Sequence, residues 1–174
     1  MIRYLCFALM LTASLAITTS AQAETLVALT EPGLGTQSLY TFDSAPPGVG
    51  TSPTVTGLAA GEQLQSIDFR PLTGELYGLV RGPGGDSIYT LNPMTGAATK
   101  VGSGFSDSLN GGNFGFDFNP QIDRIRIVSD ANQNFVAHPD TGDANVASTT
   151  DVFFATGDPN EGVTPNVVHH AYDG

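Results

Sequence analysis

This chain repeats itself, and that constrains its fold more than anything else in it. Ile67-Asp68-Phe69-Arg70-Pro71 returns 49 residues later as Phe116-Asp117-Phe118-Asn119-Pro120. At the same offset Leu76, Gly78 and Val80 fall on Ile125, Ile127 and Ser129. Upstream, Leu39-Tyr40-Thr41-Phe42-Asp43 matches Ile88-Tyr89-Thr90-Leu91-Asn92. Further on the offset shortens to 46, with Tyr89, Pro93, Thr95 and Gly96 recurring as Phe135, Pro139, Thr141 and Gly142. The three missing residues come out of the loop Arg81-Gly82-Pro83-Gly84-Gly85-Asp86. A recurring unit of this length folds as one small motif that buries its apolar face against copies of itself.

The unit is built of strands. Apolar and polar residues alternate with period 2 over 26–29, 38–42, 54–58, 65–69, 75–80, 87–91, 97–101, 115–118, 124–128, 134–137 and 152–155. Gly, Pro, Asn and Asp punctuate these runs, and past residue 23 no window carries a 3.6-residue apolar stripe. The pattern predicts an all-β fold. Pro-x-Thr-Gly occurs at 71–74, 93–96 and 139–142. Proline pre-sets φ at the first corner of a turn and glycine takes the positive φ that closes it, so each reads as a hairpin turn. Four short antiparallel strands per unit is the expectation for a β-propeller blade. Residues 65–103 make one blade and 114–147 a second, 26–58 supply three strands without the first, and 163–172 offer one more. About three blades fall short of the four to eight that close a propeller. The expectation is an incomplete propeller, the N-terminal part of a longer domain cut at Tyr172-Asp173-Gly174, or closure by association, or a compact sandwich. Its open strand edges invite self-association.

The N-terminus sets the compartment. Arg3, the apolar run 4–17 and Ala21-Gln22-Ala23 together read as a secretory signal peptide over 1–23, with the repeat domain at 24–174. The apolar run falls short of the roughly 20 residues of a spanning helix, and no later stretch reaches that length, so the mature chain is expected to have no membrane span. Removing the leader takes away Cys6, the single cysteine of the chain. Disulfides, thiolate metal sites and cysteine nucleophiles are thereby excluded, which suits a periplasmic or extracellular bacterial protein. The mature chain keeps 5 basic against 17 acidic side chains, net −12. That charge repels phosphate backbones and argues against nucleic acid as a partner.

Three places carry candidate chemistry. Asp117 and Arg126 lie on the face opposite Phe116, Phe118, Ile125 and Ile127, so a hairpin through 120–123 brings them side by side across two strands. Asp68 and Tyr77 are the equivalent pair one unit earlier. An aspartate repeated on each innermost strand lines a central channel in one reading, and caps or pairs within its own strands in the other. Asp130, Asn132 and Asn134 show the D-x-N-x-N alternation of a calcium loop, with Asp140 and Asp143 close by. Phe135 stands where that loop needs glycine and Thr141 where it needs the bidentate glutamate. His169 and His170 are adjacent, so on a strand they face opposite ways, and His138 reads as a turn position. No zinc pattern, Gly-x-Ser-x-Gly elbow or phosphate loop occurs. Tyr40, Tyr77, Tyr89 and Phe135 read as core rather than as sugar-stacking platforms.

Several of these stretches together resemble a family of exported bacterial proteins catalogued as a domain of unknown function. They are Phe114-Gly115-Phe116-Asp117-Phe118-Asn119-Pro120, Asp123-Arg124-Ile125-Arg126-Ile127-Val128-Ser129-Asp130, Gln133-Asn134 and Pro139-Asp140-Thr141-Gly142. Ile67 to Pro71, Thr73-Gly74, Leu76-Tyr77 and Gly157-Asp158-Pro159-Asn160 are similar too. The resemblance implies propeller-like architecture, export and longer relatives that continue with further repeats. It brings no activity and no catalytic residues. The functional expectation is an exported, non-catalytic binding or interaction module, with a protein or small molecule as partner and no cofactor. The first alternative is a propeller-channel hydrolase or lyase using Asp68, Asp117 and Arg126. The second is a calcium-binding structural protein using Asp130, Asn132 and Asn134.

Overall fold

A computed structural model describes residues 23–33, 35–144 and 149–173. The leader therefore lies outside the described residues except for its last position, as do 145–147 at the end of the second full repeat. Ten strands are described, and no helix. They are β1 (Thr25–Gly33), β2 (Thr36–Asp43), β3 (Gly50–Thr51), β4 (Gln63–Phe69), β5 (Leu76–Gly82), β6 (Gly85–Leu91), β7 (Ala98–Lys100), β8 (Phe114–Asn119), β9 (Arg124–Ser129) and β10 (Asn134–Ala137). Each pairs antiparallel with its sequence neighbour inside one of three sheets, ordered β1-β2-β3, β4-β5-β6-β7 and β10-β9-β8. None of the three closes on itself. The all-β expectation holds, and the repeat is structural: β4, β5 and β6 correspond to β8, β9 and β10.

Alternation explains how the sheets meet. On β5, Leu76 and Val80 point one way and Tyr77 and Leu79 the other, and all four are buried. Leu76 and Val80 join Leu39, Leu64, Tyr89 and Leu91 in a core against the first sheet. Tyr77 and Leu79 join Ile88, Phe116, Phe118, Ile125 and Ile127 in a core against the third. The second sheet is thus the middle layer, apolar on both faces. The sheets stack face to face, and the edge strands β4 and β8 are in contact.

Turn chemistry behaves as read. Gly74, Gly96 and Gly142 hold φ of +73°, +75° and +73°. Each donates its N–H to the carbonyl before the proline, on Arg70, Asn92 and His138, at 2.8, 2.8 and 2.9 Å. The first two turns join β4 to β5 and β6 to β7, and the third follows β10.

Three runs expected as strands are not. In 54–58, which follows Pro53, only isolated bridges form, Ser38 with Thr54 and Thr56 with Ala97. The short β3 pairs with β2 instead. Residues 152–155 make no ladder; the Val152 N–H donates to the Asn132 carbonyl at 2.8 Å. Residues 163–172 belong to no sheet.

Candidate functional site

The structure brings the repeated aspartates together. Asp117 on β8 stands directly opposite Arg126 on β9, and Asp68 on β4 opposite Tyr77 on β5, as alternation requires. The Asp117–Arg126 ion pair expected from that register does not form. Among the described residues the ion pairs are Arg70–Asp123, Arg70–Asp140 and Arg81–Asp86. Tyr172, from the C-terminal segment, stands between the expected partners. Its backbone N–H donates to Asp117 Oδ2 at 2.7 Å, and Arg126 Nε donates to its hydroxyl at 3.1 Å. Arg126 also donates through Nη1 to Asn134 Oδ1. Register fixes which residues are neighbours. It does not fix which polar atoms win them, and here a third segment supplies better-placed groups.

Asp68 does the same one repeat earlier. Its Oδ2 accepts the N–H of Phe118 at 2.9 Å, and its Oδ1 that of Phe69 at 2.8 Å. Asp68 on β4 thus holds the backbone of β8, and Asp117 on β8 holds the backbone of the 168–172 segment. The aromatic packing repeats as well. Phe116 and Phe118 meet edge to face, centroids 6.4 Å apart at 84°, and His170 and Tyr172 do so at 5.9 Å and 84°. His170 rests where a side chain on Gly115 would stand: a Cβ there would lie 2.5 Å from His170 Nδ1. Neither ring nitrogen of this half-buried histidine has a hydrogen-bond partner. Burial holds its pKa below the usual value.

Burial first, aided by the nearby Asp117 carboxylate and opposed by the Phe118 and Phe69 hydrogen bonds, pushes the Asp68 carboxyl up to about 6 in all. The folded chain therefore binds a proton at Asp68 more tightly than the unfolded chain does. Stability from this source is fully present below the ordinary carboxylate pKa and is lost as pH rises through about 6. Asp68→Asn keeps the acceptor for Phe118 and offers Asp117 a permanent donor, giving up only the acceptor for the exposed Phe69 N–H, which water can serve. It should stabilise the chain at neutral pH by about 1 kcal/mol, after discounting for partial exposure. Urea melts of both proteins across the weakly acid range test this. The difference between them isolates Asp68 from His170, whose lowered pKa acts in the opposite sense. Parallel pH profiles for the two proteins contradict the assignment.

Sequence reasoning missed the strongest polar cluster. Arg70, 5 % exposed, directly follows β4, and its side chain crosses to the third sheet. Its Nε and Nη2 donate to the two Asp123 carboxylate oxygens at 2.8 and 2.5 Å, and Nη1 donates to Asp140 Oδ1 at 2.6 Å. Arg70 holds both carboxyls below the usual carboxylate range. In the neighbouring repeat this position is Asn119, and that break in the repeat is the one signal the sequence offered. Gln37, on β2, makes a comparable link. Its side-chain amide donates to the Leu64 carbonyl at 2.8 Å and accepts the Leu64 N–H at 2.7 Å, tying the first sheet to β4.

The calcium-loop residues have separate employment. Asp130 accepts from the Gly112 N–H at 2.9 Å and from Asn113 Nδ2 at 2.8 Å. Asn132 sits at φ 59° in the turn before β10. Asn134 bonds Arg126 and donates to the Thr150 carbonyl. Asp140 is taken by Arg70, and Asp143 accepts from the Thr141 hydroxyl. Among the described residues no group of three or more His, Cys, Asp or Glu side chains is placed to hold a metal ion. Tyr77 and Tyr89 are buried in the two cores, and Phe135 packs against one of them.

Neither Asp68 nor Asp117 lines any of three clefts found among the described residues. The one nearest the inner strands measures about 330 Å³. The starts of β4 and β8, strand β1 and the C-terminal segment converge on it. Glu31, Gln37, Gln63, Gln65, Asn113 and His169 supply its polar lining.

Stacked antiparallel sheets with repeat-equivalent links between their first strands define a repeat protein of the all-β class. The chain belongs to the family described as Domain of unknown function (DUF4394), whose model matches residues 38–173. No curated protein and no solved structure matches it.

Proposed function

We propose that the chain is an exported, non-catalytic binding module whose sheets are propeller-like blades. The observation that carries this reading is the employment of the two convergent carboxyls. Three of their oxygens accept backbone N–H groups, of Phe69, Phe118 and Tyr172, and the bonds to Phe118 and Tyr172 fasten one inner strand to the next. A hydrolase or lyase needs such groups free and facing substrate. Export rests on the basic, apolar and Ala-x-Ala parts of the leader, and places the protein in the periplasm or outside the cell. The blade reading rests on the matching links of β4 to β8 and of β8 to 168–172.

The ligand site in this reading is the cleft holding Gln63, Gln65, Asn113 and His169. Amides and an imidazole beside one carboxylate, Glu31, suit a small neutral ligand rich in hydroxyl or amide groups. A thermal-shift screen with neutral sugars and N-acetyl amino-acid amides tests it, because whatever binds the native state raises its melting temperature. A hit should vanish in Gln63→Ala and His169→Ala, whose exposed positions leave the unliganded melt unchanged. No shift from any probe, or a shift indifferent to both variants, overturns the site. In the same screen millimolar calcium should leave the melting temperature unchanged, because the Asp130 carboxylate already serves Gly112 and Asn113. A calcium-specific rise abolished by Asp130→Ala would restore the calcium reading.

A further inference from the structure

His170 is seated where an imidazole has nothing to bond. Both ring nitrogens are buried, and neither has a hydrogen-bond partner among the described residues. A neutral imidazole carries one donor and one acceptor, so both go unsatisfied. The seat exists because β8 has glycine at 115. A Cβ there would lie 2.5 Å from His170 Nδ1 and 2.8 Å from Val128 Cγ2, so ring and valine fill the space the glycine leaves. Such a seat takes the neutral ring at a cost and the charged ring at a larger one, because protonation adds a second donor and a charge.

The groups around the ring do not reverse this. Burial is the largest influence and disfavours the charged form; Asp117 on β8 favours it, and Arg126 on β9 and His169 oppose it. Asp68 on β4 spends its oxygens on Phe118 and Phe69, and the Tyr172 hydroxyl accepts from Arg126. His170 also stands between two residues with other tasks. Tyr172 ties the segment to Asp117 and Arg126, and the exposed His169 lines the 330 Å³ cleft. Whatever unseats His170 moves that wall.

We infer that His170 is a proton-released latch: the neutral ring seats the 168–172 segment on β8, and protonation lifts the segment and withdraws His169 from the cleft. The latch works without a ligand. That it lets a ligand go in weak acid rests on reading this cleft as the binding site.

Residue-resolved hydrogen exchange of the unliganded chain, corrected for the intrinsic pH dependence of amide exchange, tests the latch. Protection at Tyr172 should fall about ten-fold between about pH 7.5 and about pH 5.5, a range that straddles the ordinary histidine pKa, while protection at Phe118 does not fall. His170→Phe keeps an aromatic ring beside Tyr172 and takes up no proton, so its Tyr172 protection should be flat over that range. Asp68 titrates in both proteins, and the comparison removes it. Gly115→Ala drives a methyl into the seat and should hold Tyr172 protection low at both pH values. Protection indifferent to pH in the unmodified chain, or an equal fall in His170→Phe, overturns the inference. Full, pH-dependent protection in Gly115→Ala overturns it as well, and decides the matter should His170→Phe fail to fold. A ligand found by thermal shift should bind about ten-fold more weakly at the lower pH, and equally at both in His170→Phe. Finding no ligand fails the cleft reading alone, and the exchange at Tyr172 still decides the latch.

Discussion

Arg70→Ala should lower the stability of this chain by about 3 kcal/mol, roughly 10 °C in melting temperature for a domain of this size. Arg70 is the only cation among the described residues that reaches two carboxylates, and it does so with its side chain 6 % exposed. Its fork spans the turn between β8 and β9, through Asp123, and the turn after β10, through Asp140. Truncation separates the second sheet from both turns, and the buried Tyr77 hydroxyl loses its contact with Nη1. Arg70→Lys should recover less than half of the loss, because one ammonium cannot hold a carboxylate in two-pronged fashion and bond a second. The pH dependence has a definite sign. Asp123 and Asp140 have lowered pKa values, so their contribution is fully present above the ordinary carboxylate pKa and is lost as pH falls through the lowered values. The gap between wild type and Arg70→Ala should therefore stay constant above about pH 5 and close only in strong acid. Chemical denaturation at several pH values measures it. A gap under about 0.5 kcal/mol would mean that the clamp adds nothing beyond an exposed pair.

Asp86→Ala should cost a similar amount, about 3 kcal/mol, by a different route. Asp86 is buried on β6 and accepts from Arg81 Nε at 2.8 Å and from the Leu109 N–H at 2.7 Å. Leu109 is 3 % exposed and part of the core between the second and third sheets. The aspartate is thus what seats the connection from β7 to β8. Without it the Leu109 N–H is buried and unpaired, and Arg81 keeps the Leu109 and Gly111 carbonyls and its place over the Phe114 ring but loses its counter-charge. Asp86→Asn retains an acceptor and should lose only about 1 kcal/mol. Equal losses for the two substitutions would show that charge rather than the Leu109 bond is what matters.

These residues mark where sequence reasoning stops. The repeat, the strand alternation and the Pro-x-Thr-Gly turns are local signals, and they located β4 to β10 and placed Asp117 opposite Arg126. The polar partners are not local. Arg70 meets Asp123 and Asp140 across 53 and 70 positions of chain, and Gln37 meets Leu64 across 27. No periodicity reports on such contacts. The expected Asp117–Arg126 pair failed for the same reason, since Tyr172 comes to it from 55 positions away. The run 54–58 failed differently: its alternation is sound, but Pro53 removes a donor and the neighbouring backbone bonds go to Gln37 and Gly96. The internal echo that did foretell the site is the aspartate itself, present once per repeat at the same place on the first strand.

That echo gives the most direct test. Asp68 should hold the amide of Phe118, and Asp117 that of Tyr172, by the same bond one repeat apart. Residue-resolved hydrogen exchange on the unmodified chain, Asp68→Ala and Asp117→Ala measures it. Asp68→Ala should speed exchange at Phe118 while Tyr172 stays protected, and Asp117→Ala should speed exchange at Tyr172 while Phe118 stays protected. Undiminished protection of both amides in both variants would contradict the account, because the repeated carboxyls would then be free of the backbone and available for chemistry.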